Sequence, residues 1–159
     1  MNKRTCGWIA LAVVLVTLGW WGFRASKLRE VYHVINPPGD YFAVIAGGPL
    51  TMGRQEYRWP LTHKYPGDHE VRLSWPHGRS HDFDGISLQF RRNGRPILAA
   101  KAAASRAFSG PRGDGVIIFE YRVPRDLPMG AGMECELVFA QPIDARVNGV
   151  VVEVVKAGH

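Results

Sequence analysis

Seventeen consecutive residues without a charge, Gly7 to Phe23 (GWIALAVVLVTLGWWGF), constrain this chain more than any other stretch. As a helix they would span about 25 Å, enough for a thin hydrocarbon layer. Trp8 stands near one end and Trp20 and Trp21 near the other, where amphipathic rings suit the headgroup level. Lys3 and Arg4 precede the run, and Arg24, Lys27 and Arg29 follow it. A cut after Ala25 would put Phe23 at the −3 position, and a cut after Gly22 would put Trp20 there; both fit a signal peptidase poorly. Cys6 lies before the run, which excludes lipoprotein-type cleavage. The expectation is an uncleaved anchor: a single-pass membrane protein with a cytoplasmic amino terminus and its domain outside, on a bacterial inner membrane facing the periplasm. Arg24, Lys27 and Arg29 would then contact phospholipid headgroups.

The rest divides by composition. Leu28, Val31, Tyr32 and Ile35 fall at i, i+3, i+4 and i+7, so residues 1–35 are assigned to the anchor and a juxtamembrane helix. Asn36-Pro37-Pro38-Gly39 stops that helix and forms the linker, residues 36–39, because proline removes a donor and restricts its predecessor. Residues 40–159 then show a period of two. Apolar side chains alternate with polar ones over Arg54–Leu61, His69–Trp75, Gly85–Arg91, Val116–Val123 and Met133–Ala140, and a short apolar run covers Tyr41–Ala46. Within Val116–Val123 the face expected inward carries Ile117, Phe119, Tyr121 and Val123. Asn93-Gly94 predicts a tight hairpin between Gly85–Arg91 and Arg95–Leu98, and Asn148-Gly149 predicts a second between Val147 and Val150–Val155. Leu98–Phe108 is alanine-rich and is expected as a crossing helix or a loop over one end of the sheet. Seven to nine short strands and no βαβ rhythm predict an all-β fold: an antiparallel β-sandwich of jelly-roll or immunoglobulin-like type. His69–Trp75 and Met133–Phe139 align without a gap, as equivalent strands in two halves of such a sandwich would.

Charge narrows the partners. The chain carries twenty basic and fourteen acidic residues, net +6. Lys3 and Arg4 precede the apolar run and every acidic residue follows it, which leaves +4 beyond it. That surplus is dispersed, and the densest cluster, Arg91, Arg92 and Arg95, flanks the expected Asn93-Gly94 turn, so nucleic acid is not expected.

Catalytic patterns are sparse. There is no nucleophile elbow, phosphate loop or dinucleotide fingerprint, and Cys135 lies on the inward parity of its strand. Glu120, Glu134 and Glu136 would serve as a glycosidase pair only if their strands converged. His77, His81, Asp82 and Asp84 form the richest polar cluster, suited to a turn, to partner contact or, if any metal is held, to a divalent ion. Arg112-Gly113-Asp114 spells a short recognition tripeptide in a flexible turn and is read as coincidence. Tyr57 and Trp59 are the aromatic candidates for contact with a sugar or a protein. The expected function is non-catalytic and needs no cofactor: a tethered sandwich that binds another protein in or at the membrane, as an accessory subunit of an envelope complex or as an inhibitor. The alternatives are a cell-wall glycan-binding module, or a metal-dependent envelope hydrolase built on the His77–Asp84 cluster.

Overall fold

The computed structural model describes residues 12–22, 32–33, 35–78, 83, 85–110, 113–144, 147 and 149–158. The chain divides into two compact units, residues 1–41 and 42–159.

In the first unit, residues 12–22 form a helix. Eleven residues at 1.5 Å each reach only about 16 Å, roughly half a hydrocarbon core. No helix among the described residues is long and apolar enough to cross a membrane. This corrects the single-pass location expected from the apolar run: the absence of charge extends over seventeen residues, but the described helix does not. Arg24, Lys27 and Arg29, the expected headgroup contacts, lie outside the described residues. The Asn36 amide donates to the Tyr32 carbonyl at 2.8 Å, a last helical bond before Pro37 and Pro38, and the Tyr41 amide closes a turn on Pro38.

The second unit is built from nine strands: β1 (Ala46–Pro49), β2 (Glu56–Thr62), β3 (Gly67–Trp75), β4 (Ile86–Arg92), β5 (Arg95–Leu98), β6 (Lys101–Gly110), β7 (Gly113–Val123), β8 (Gly132–Phe139) and β9 (Val151–Lys156). They form two sheets, one of five strands in the order β1-β9-β3-β7-β6 and one of four in the order β2-β8-β4-β5, with every pairing antiparallel. The arrangement is consistent with a β-sandwich. Alternation explains the core: Val71, Leu73 and Trp75 of β3, Met133, Cys135, Leu137 and Phe139 of β8, and Val152 and Val154 of β9 share one buried cluster. The two segments with matching patterns, β3 and β8, each occupy an interior place in a different sheet.

The expected Asn93-Gly94 hairpin joins β4 to β5, with both residues at positive φ (52° and 76°), as a tight mirror-image turn requires. Three expectations change. Lys101–Gly110 is a strand, not a helix: its residues pair with β7, and ladder bonds outweigh the modest helical preference of alanine. No hairpin follows the Asn148-Gly149 signal among the described strands, because β8 belongs to the four-stranded sheet and β9 pairs with β1 and β3; Asn148 itself lies outside the described residues. Of the apolar run Tyr41–Ala46 only Ala46 enters a strand, and Gly47, Gly48 and Pro49 complete β1. Gly47 sits there at φ +137° against the Val152 carbonyl, where any side chain would strike the β9 backbone.

Candidate functional site

A bulge decides what the outer face of the five-stranded sheet presents. Val71 of β3 pairs with Phe119 of β7, but the next residue, Arg72, pairs with Ile117, so Ile118 is the extra residue. Beyond that point the parity of β7 reverses. Ile117, expected on the inward face with Phe119, therefore stands in the outer row beside Arg72 and outside the core cluster, yet it is buried. Val155 of β9 pairs with Glu70 in the same outer layer and is also buried.

These residues floor a groove of about 510 Å³. Phe42 and Val44, each close to half exposed, line it together with Phe108 from β6. Charged groups lie among them: Glu70 and Arg72 of β3, Arg106 of β6 and Glu153 of β9. Glu70 is only 1% exposed. The Arg72 guanidinium donates to its Oε1 through both Nε and Nη2, whereas Oε2 is buried without a hydrogen-bond partner. Arg106 Nη2 lies 3.6 Å from that oxygen, and bonds Glu120 Oε1 instead at 3.3 Å. The Arg72 guanidinium also lies 5.1 Å from the centre of the Phe108 ring.

The four-stranded sheet carries a closed counterpart. Glu136 of β8, 6% exposed, receives Arg58 of β2 at 2.7 Å and Arg91 of β4 at 2.9 Å, so both of its oxygens are satisfied. Glu134 is exposed on that same sheet, while Glu120 belongs to the other; the three glutamates do not converge on one site.

At one end of the core, His63, His69 and Tyr121 pack together, all nearly fully buried. His69 Nδ1 lies 2.9 Å from the Gly67 carbonyl, which only accepts, so this nitrogen carries the proton. His63 Nε2 meets the Tyr121 hydroxyl at 2.9 Å, and its Nδ1 has no partner. Burial, with a smaller contribution from the Lys156 ammonium, lowers His63 to a pKa of about 4. Burial lowers His69 further, to about 3, against the opposing bond to Gly67. The same burial pushes the Tyr121 hydroxyl upward and raises the Cys135 thiol to about 12, which leaves that thiol protonated and unreactive.

The residues singled out in the sequence are scattered. Tyr57 is buried and its hydroxyl both accepts from the Thr51 amide and donates to the Thr51 carbonyl, so it belongs to the core. Trp59 is half-buried and stacks on Tyr57 at 5.6 Å between ring centres. His77 is exposed and its Nδ1 lies 3.0 Å from Asp114 Oδ1, an oxygen that also accepts from Ser109 Oγ at 2.8 Å. These bonds, Ser109 first, hold the Asp114 carboxyl below its usual range. The order is serine–aspartate–histidine: the carboxylate separates the hydroxyl from the imidazole, so the base cannot activate the nucleophile. His81, Asp82 and Asp84 lie outside the described residues, and among the described residues no three His, Cys, Asp or Glu side chains are grouped to hold a metal.

No protein-family model, no curated protein and no solved structure matches this chain.

What remains is the edge beside the groove. Three of the four sheet edges are blunt. β1 has four residues and ends in Pro49, β2 carries Pro60, and β5 has four residues including Pro96. β6 is the exception, ten residues without a proline. A register shift between Ala102 and Arg106 interrupts its ladder, and Arg106–Gly110 then pairs in continuous register with β7. Sequence reasoning missed this edge because the alanines of 102–104 suggested a helix.

Proposed function

We propose that the β-sandwich is a non-catalytic protein-binding module, and that its partner supplies an extended segment that pairs with the free side of β6. The observation that carries this reading is the contrast between β6 and the three proline-bearing edges. An uncovered strand edge offers a row of unpaired donors and acceptors, which a second chain satisfies by strand addition. The alanines at 102 and 107 leave room for the side chains of an added strand. A partner of this kind suits an accessory subunit or an inhibitor of another protein.

The strand pairing also supports the jelly-roll alternative over the immunoglobulin-like one. Setting β6 aside, the pairs β1–β9, β2–β8, β3–β7 and β4–β5 nest one within another, as in a long hairpin rolled into two sheets. β6 is then an addition to that plan, inserted between β5 and β7 at the edge of one sheet.

The burial of Tyr57 weighs against a glycan-binding row of aromatic side chains. A test follows from ladder geometry. Antiparallel pairing closed on Gly110 and Gly113 alternates the amides of β6, which turns the Ala107 N–H to the free side. Ala107→Pro removes that donor and leaves the β6–β7 bonds in place. Capture from cells with the full chain should recover one stoichiometric protein that the folded Ala107→Pro variant does not retain. Equal recovery by both chains overturns the proposal.

A further inference from the structure

We infer that the groove on the outer face of the five-stranded sheet is a binding site for a cationic nitrogen carried on an apolar body, with Glu70 Oε2 as its acceptor. Two observations converge. Oε2 is a buried carboxylate oxygen with no hydrogen-bond partner, and Glu70 lines the groove. Such an oxygen pays a desolvation cost that an incoming donor relieves, most strongly if the donor is charged. The charged residues that line the groove balance, Glu70 and Glu153 against Arg72 and Arg106, so the preference for a cation rests on the unpartnered oxygen of Glu70 rather than on net charge. Arg106 already shares itself with Glu120 and has its side chain 61% exposed, so it can turn to Glu120 as the ligand enters.

The rest of the groove fits the body of such a ligand. Ile117 and Val155 form an apolar floor, and Phe42, Val44 and Phe108 form the walls. A volume of about 510 Å³ lies in the range of small-molecule sites. The matching chemistry is a primary ammonium or guanidinium on an aryl or alkyl group, which a free amine or a lysine or arginine side chain of a protein can supply. The site adjoins the β6 edge, which contributes Arg106 and Phe108, but its acceptor Glu70 belongs to β3, two strands inward.

The test is a titration of the full chain with phenethylammonium chloride, followed by amide chemical shifts. The expected result is saturable movement of the Glu70, Arg72, Ile117 and Val155 amides. Glu70→Gln, which keeps the shape and removes the charge, should weaken binding about tenfold or more. Phe108→Ala, on the groove wall, should weaken it a few-fold in a chain whose thermal midpoint is unchanged, and keeps the test available if Glu70→Gln does not fold. 3-Phenylpropionate, with the same body and the opposite charge, should leave those amides unmoved. Nα-acetyl-lysine amide and an acetyl-Phe-Lys-amide dipeptide, run in parallel, separate the two sources: tighter binding of the dipeptide assigns a protein side chain, and tighter binding of the free amine a small molecule. Equal binding of the anion, undiminished binding by Glu70→Gln in a folded chain, or no saturation below about 10 mM, a dissociation constant too weak for a built site, overturns the inference.

Discussion

His63 and His69 show what a buried residue costs when its charge has no place to go. Both rings have folded-state pKa values far below the usual 6.5, chiefly through burial. Above pH 6.5 the rings are neutral in folded and unfolded chains alike, and they add no pH dependence. Below it the unfolded chain binds protons that the folded core excludes, so stability falls by about 1.4 kcal/mol per pH unit for each ring. The loss continues until the pH nears about 4 for His63 and about 3 for His69. Urea denaturation should therefore show about 4 kcal/mol less stability at about pH 5 than at pH 7 or above, and His63→Phe should remove about half of that slope. An unchanged midpoint across this interval would contradict the burial of both imidazoles. On the inner face of the four-stranded sheet, Leu137 marks the ordinary cost of packing: Leu137→Ala in the fully buried core should cost about 2–5 kcal/mol, measured in the same way.

At the scale of elements, the turns and the bulge carry the argument. Asn93-Gly94 was legible because a two-residue loop at positive φ selects those two residue types, and the signal needs no knowledge of the fold. Gly94→Ala should cost about 1 kcal/mol through that backbone conformation alone. Gly47→Ala should cost more, about 2–4 kcal/mol, because the added carbon meets the Val152 backbone as well. Similar losses in the two variants, read from denaturation midpoints, would contradict the close approach of β1 to β9. Lys101–Gly110 was misread for the opposite reason. Its alanines speak for a helix locally, and the strand exists only because β7 is there to pair with it. The groove was hidden by the bulge: strict alternation puts Ile117 in the core, and one extra residue in β7 turns it outward. Glu70, Glu153, Arg106 and Phe42 come from separate segments, so nothing in their spacing announces that they meet.

For the whole molecule, the all-β class and most of the core were written in the alternation of β3, β8 and β9, where each residue's face follows from its neighbour's. The expected membrane span was not upheld, because a run without charges limits what a segment can be without fixing the length of its helix. The partner of His77 lies 37 residues away at Asp114, a contact fixed by the β3–β7 register rather than by the local cluster that drew attention in the sequence. The proposed function was the least legible, since a strand edge is defined by what does not pair with it. Amide hydrogen exchange of the full chain, alone and with its captured partner, tests the strand-addition account most directly. The account predicts slowed exchange on binding at Arg106–Gly110, strongest at Ala107 and Ser109, whose amides face away from β7. Protection confined to the four-stranded sheet, with β6 exchanging as fast as in the free chain, would contradict it.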